Sequence, residues 1–185
     1  MEVVWKAYEL RPDPVAPRDP AGEYLTRVWR DSVYPLAEQL GITMRLPPIQ
    51  PRSRRAHEAA KWAQTQTQFD AYNDLSRAYN DLFVAYNAAI FRAFFERGED
   101  ISNIDVLVRL ARDLNLDYSS LRVALDTKHF EPAVLSDENE AASLGLHAVP
   151  AFIANRRFAL TGVQPATALE EMVNRASAFD LDVKT

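Results

Sequence analysis

The sequence predicts an α/β protein, and three observations carry that prediction. A β-branched and aromatic run opens the chain, a proline-led hairpin stands near its other end, and helical spacing dominates the residues between. Glu2-Val3-Val4-Trp5-Lys6-Ala7-Tyr8 has the composition of a strand. Pro150 to Ala154 and Arg157 to Leu160 alternate as two hairpin arms, with Asn155-Arg156 as the turn between them. At 185 residues, 48% hydrophobic and 25% charged, the chain has the size and balance of one large soluble domain or a domain with a sizeable insertion.

After the first strand, Arg11 to Pro20 holds four prolines and reads as a loop. Ala21 to Val33 has helical spacing, with Tyr24, Leu25, Val28 and Trp29 on one face. Pro35 either breaks that helix or begins a short second one ending at Gly41. Ile42 to Pro51 is another proline-marked connection. The basic run Arg52-Ser53-Arg54-Arg55 reads as a solvated face, or as a weak anion site at most. From His57 to Gln66 a helix is predicted in which Ala59, Ala60 and Ala63 allow close packing.

A repeat follows. Phe69-Asp-Ala-Tyr-Asn-Asp-Leu75 is echoed by Ser76 to Leu82 and by Phe83 to Ala89. A heptad insertion keeps a helix nearly in phase, drifting only about 20° per heptad. One helix over Phe69 to Arg97 would span roughly 43 Å. Its stripe of Tyr72, Leu75, Tyr79, Leu82, Tyr86 and Ala89 fits two uses: a face covering its own domain, or a seam for a second chain. Gly98 ends this helix, and Ser102 or Asn103 caps the next, Ile104 to Leu114, whose buried face is Ile104, Leu107, Val108 and Ala111. Asp117 caps a short helix through Leu125, and Phe130 to Leu144 continues helical with Pro132 in its first turn. Asp137, Glu138 and Glu140 read as charges favoured by the dipole at a helix N-terminus. Gly145 is placed for a left-handed helix end, and Pro165 for the first position of a last helix, Ala166 to Ala178.

The stretch ENEAASLGLHAVPAFIANRRFALTGVQPATALEEM resembles the C-terminal part of the DsbA-like thioredoxin superfamily, in its cytoplasmic FrnE-like branch. The resemblance covers Glu2 to about Ala178 apart from two extra heptads, and VVWKAYEL is similar to that family's second strand. It implies a thioredoxin-like part over residues 1–20 and 146–185 of a single domain, and a helical insertion over 21–145 with the heptad duplication at 69–89. It also implies that Pro150 is a cis-proline and that Val149 and Pro150 form the edge where a peptide or protein substrate pairs. The family's first strand, Cys-x-x-Cys turn and helix have no counterpart in this sequence. Because that strand would lie between the Val3–Tyr8 strand and the Pro150 strand, the sheet is expected to close either by a shifted register or with a strand from another chain. A homodimer or swapped assembly is the expectation.

The chain contains no cysteine, so it can hold no disulfide, thiolate nucleophile or cysteine-metal site. Its three histidines, His57, His129 and His147, are scattered and suggest ordinary surface or half-buried roles, so neither a metal nor a cofactor is expected. The formal charge of −5 argues against nonspecific nucleic-acid binding, and no apolar run suggests a membrane span or signal segment, which makes the cytoplasm the default location. Three functions follow. The chain resembles a DsbA-family thiol-disulfide oxidoreductase that is redox-inactive as it stands. It also fits a non-enzymatic peptide-binding or self-associating thioredoxin-fold protein, or a relative of glutathione-dependent isomerases.

Overall fold

Proline and glycine punctuation sets the element order. The computed structural model describes residues 3–66 and 75–182, with side chains described up to 66 and from 82 to 178. Eight α-helices and two strands are found among these residues, in two compact units, Met1–Glu138 and Asn139–Thr185.

In the first unit α1 (Glu23–Val28) runs through a π-turn at Trp29–Val33 into α2 (Tyr34–Gln39). The π-turn resolves the two options that Pro35 offered. Proline lacks an N–H, and its ring would press on the carbonyl four residues earlier, so widening the ladder ahead of it lets the helix continue. The N–H of Tyr34 accordingly donates five residues back, to the Trp29 carbonyl. Gly41, at φ 65°, closes α2 as the spacing requires.

Next come α3 (Arg54–Ala63), α4 (Leu75–Phe95), α5 (Ile104–Asp113) and α6 (Tyr118–Asp126), which share one core. Ala59 and Ala63 are fully buried and let α3 approach closely; Trp62, Tyr86, Leu107 and Leu121 fill the space between the four helices. The two polar tips in this core are satisfied: Trp62 Nε1 donates to Ser120 Oγ at 3.0 Å and Tyr86 Oη to the Leu107 carbonyl at 2.9 Å. Asn103, one of the two candidates, is the cap of α5, accepting from the Asp105 N–H, and Asp117 caps α6 by accepting from Ser120. Gly98 is required twice over: its φ is 67°, and a Cβ there would come within 2.7 Å of the Pro48 ring.

The described part of the heptad region is α4, 21 residues and therefore about 31 Å long. Of the stripe, Tyr72 and the first repeat up to residue 74 lie outside the described residues, as do the side chains of Leu75 and Tyr79. Leu82 is half-buried, and Tyr86 and Ala89 are buried in the unit's own core.

The sequence placed a strand at Glu2–Tyr8, and here the structure differs. Residues 3–9 join no ladder; the sheet found among the described residues has two strands, β1 (Ala151–Ala154) and β2 (Phe158–Thr161).

Helix α7 (Glu131–Ser143) crosses the boundary between the units. In the second unit Gly145, at φ 68°, ends α7, and its neighbour Leu146 donates back to the Ala141 carbonyl. The hairpin pairs Ala151 with Thr161, Phe152 with Leu160, Ile153 with Ala159 and Ala154 with Phe158, all antiparallel. Asn155 and Arg156 both have positive φ (50° and 56°), as the two central residues of a type I′ turn must. Arg157 belongs to the turn rather than to the second strand. After Gly162, α8 runs from Ala166 to Asp182. Pro165 stands one position earlier than expected, as the cap whose carbonyl accepts from Leu169.

Candidate functional site

The site residues taken from the sequence, Val149 and Pro150, stand at the entry to β1. The Val149–Pro150 peptide bond is cis, as is Asp13–Pro14 in the proline loop, which nothing in the sequence singled out. The Gly162 N–H donates to the Pro150 carbonyl at 2.8 Å, and this bond fixes the alternation of the hairpin. Residues 150, 152 and 154 turn their main-chain groups toward β2. Ala151 and Ile153 turn theirs away, because antiparallel pairs alternate between bonded and non-bonded positions. Ala151 and Ile153 thus present one edge of main-chain donors and acceptors, with Val149 just before it across the cis bond, and none of the three has a hydrogen-bond partner among the described residues. Val149 is 41% exposed and Ile153 38%.

Alternation also sorts the hairpin's side chains. Phe158 and Leu160 line a cavity with Ala168 and Met172 of α8, and the Arg175 guanidinium lies 5.1 Å from the Phe158 ring centre. Ile153 and its cross-strand partner Ala159 line a smaller hollow with Leu144, Leu146, Arg156, Arg157 and Phe158, and Arg157, Phe158 and Ala159 border both hollows. Arg156 bonds Glu140 at 2.5 Å across the mouth of the turn. Sequence reading named only the first residue of this edge. The period of two from Val149 through Ala151 to Ile153 was the signal available to extend it.

The first unit holds the densest cluster of titratable groups, and it explains what became of the predicted strand. The Ala7 N–H donates to Asp137 Oδ2 at 2.8 Å. A carboxylate of α7 thus accepts from the extended segment where a neighbouring strand would. Asp137 also binds Lys6 at 3.1 Å and Lys61 at 2.5 Å. Burial pushes its carboxyl up, but the Lys61, Ala7 and Lys6 hydrogen bonds outweigh this, and its pKa is lowered. Arg54 pairs with Glu9 and Glu138 and lies 3.8 Å from Glu131. Arg52 donates to the Arg11 and Val15 carbonyls, and Arg55 to the Ser102 carbonyl.

Two sequence expectations are corrected here. Asp137, Glu138 and Glu140 lie in the second half of α7, far from its N-terminus, and serve as acceptors instead of dipole charges. Arg54 is a half-buried clamp rather than part of a solvated face, because Glu9, Glu131 and Glu138 converge on it, whereas Arg55 is exposed as expected and Arg52 also meets exposed Asp13. Burial lowers the pKa of His57. Burial raises that of Glu58, helped by nearby Glu131, and Glu58 Oε2 and Glu138 Oε1 have no hydrogen-bond partner.

Among the described residues no group of His, Asp or Glu is arranged to hold a metal, and no helix is long and apolar enough to cross a membrane.

Comparison with known proteins agrees with this geometry. The family profile of the DSBA-like thioredoxin domain matches residues 1–174. The uncharacterized protein YwbO of Bacillus subtilis is 31% identical over 159 residues, which is 83% of this chain and 72% of that protein. A probable DsbA oxidoreductase of Streptomyces coelicolor superposes with a TM-score of 0.74 at 23% identity, over 96% of this chain and 76% of the other. A 2-hydroxychromene-2-carboxylate isomerase superposes with a TM-score of 0.64 at 16% identity, over 92% and 76%.

Proposed function

From the premise that this chain belongs to the DSBA-like thioredoxin family and has its fold, we propose that it acts by docking an extended peptide strand rather than by exchanging disulfides. Thiol-disulfide exchange needs an attacking thiolate and a resolving thiol, and this sequence contains neither. A serine or threonine hydroxyl cannot form the mixed disulfide in their place.

The observation that supports the reading is the edge at Val149, Ala151 and Ile153, beginning beside cis-Pro150 and lacking hydrogen-bond partners among the described residues. Such an edge accepts a strand through main-chain hydrogen bonds, which give affinity with little regard for sequence. The strand comes from a peptide or protein substrate, with Val149 and Pro150 at the start of the contact. A strand from a second copy of the chain is the competing occupant, and that arrangement would make the protein a homo-oligomer.

Amide hydrogen exchange tests this directly. Adding an excess of a five-residue β-forming peptide should slow exchange at Val149, Ala151 and Ile153, while Phe152 and Leu160, already bonded within the hairpin, stay unchanged. Uniform exchange with and without peptide would overturn the reading. Protection of the same three amides that rises with protein concentration alone would assign the edge to a second copy. In an insulin-reduction assay the chain should remain at the uncatalysed rate, and turnover above it would contradict the redox-silent part.

A further inference from the structure

Ile153 belongs to two features at once. Its main chain forms part of the unpartnered edge, and its side chain lines a hollow of about 160 Å³. We infer that the docked strand is selected for a bulky aliphatic side chain, which enters this hollow, with an acidic residue two positions N-terminal to it, which meets Arg156. This inference rests on the strand-docking reading above and names the class of peptide that the edge takes.

The hollow supplies the aliphatic preference. Leu144, Leu146, Ile153 and Ala159 give it apolar walls. A strand added beside β1 places every second side chain on the face of Ile153. A side chain opposite Ile153 therefore lies next to the hollow, where a leucine buries its methyl groups and an alanine leaves the walls wet.

The turn supplies the charge preference. Arg156 follows Ile153 by three residues, is 68% exposed, and lies at the rim with Arg157. Arg156 is already oriented by Glu140, which leaves the remaining guanidinium donors of its fork directed by a fixed plane. A further side chain on the same face, two residues along the added strand, is displaced by about 7 Å, which carries it from Ile153 toward the turn. Antiparallel addition is the more stable pairing per residue, and it runs the peptide's N-terminal end toward Arg156. The acidic residue consequently precedes the aliphatic one.

The test uses fluorescein-labelled Thr-Asp-Thr-Leu-Thr and measures binding by fluorescence anisotropy. Replacing its Leu by Ala, or its Asp by Lys, should weaken binding by about tenfold each, a difference of about 1.4 kcal/mol. The Arg156→Glu protein, checked for an unchanged circular dichroism spectrum, should reverse the charge preference and bind the Lys peptide more tightly than the Asp peptide. A version of the peptide methylated on alternate main-chain amides should not bind at all. If all unmethylated peptides bind alike while methylation abolishes binding, the edge reading stands and the selection inferred here is wrong. If the methylated peptide binds as well as the others, or none binds, both fall. An Arg156→Glu variant that still prefers the Asp peptide would remove Arg156 from the selection.

Discussion

Residues 3–9 and residues 149–161 read alike in sequence, as apolar strand segments, yet they satisfy their backbones by opposite means. The hairpin carries its own partner: a turn with two positive-φ residues brings β2 onto β1, and half of each strand's donors and acceptors are met locally. The N-terminal segment has no such neighbour in sequence. Its Ala7 amide is accepted by Asp137, 130 residues away, and Trp5 packs near Phe83, with ring centres 6.2 Å apart. Strand composition is therefore a statement about an extended backbone with unmet hydrogen bonds. Whether a ladder forms depends on what arrives to meet them.

The sharpest way to break that contrast is Asp137→Ala. It leaves the Ala7 N–H unpaired and removes a partner from Lys61, whose side chain is only 15% exposed. Removing one member of a buried ion pair costs about 3–5 kcal/mol, and urea unfolding should show a loss of that size. Residues 3–9 should lose exchange protection with it, while the hairpin keeps its own.

Acid should act on the same group more gently. The folded-state pKa of Asp137 is lowered below its unfolded value near 3.9. Its contribution is then complete above about pH 4 and disappears as pH falls through the folded value. Asp137→Asn, compared with the wild type between about pH 5 and 2, should show a shallower loss of stability on acidification. Equal slopes would mean that Asp137 is not the acceptor described.

The hairpin is probed by Gly162→Ala. Gly162 has φ 79° and nothing within 4 Å of where a Cβ would sit, so the cost is backbone conformation alone, about 1–2 kcal/mol. The loss should appear as a small drop in thermal stability with the Ala7 amide unaffected, since its acceptor lies in the other unit.

Much of the fold was legible because its signals are local. Asn103 and Asp117 cap helices through bonds to amides two or three residues away, and Gly41, Gly98 and Gly145 end them with a left-handed residue. The Val-Pro step and the Asn155-Arg156 turn were legible for the same reason. Of the candidate site, Val149 and Pro150 were named, whereas Ala151, Ile153, Leu144 and Arg156 were not. Their relevance depends on which side of a strand remains unpaired and which face remains uncovered. Arg54 misled because charge clusters are usually solvated, and nothing nearby in sequence announced Glu9, Glu131 and Glu138 as its partners.

The sequence by itself determined where the chain turns, where several helices are capped and stopped, and which chemistry is absent, since those follow from backbone preferences and from atoms that are present or missing. Only the tertiary structure decided which backbone groups are met and by what. It tied the opening segment to Asp137 of α7 through Lys6 and Ala7, and it left an edge beside Pro150 with no hydrogen-bond partner among the described residues. Hydrogen bonds between distant residues carry no local signature, and a lone extended segment fits a strand, a carboxylate row or a docked peptide equally well until its neighbours are in place.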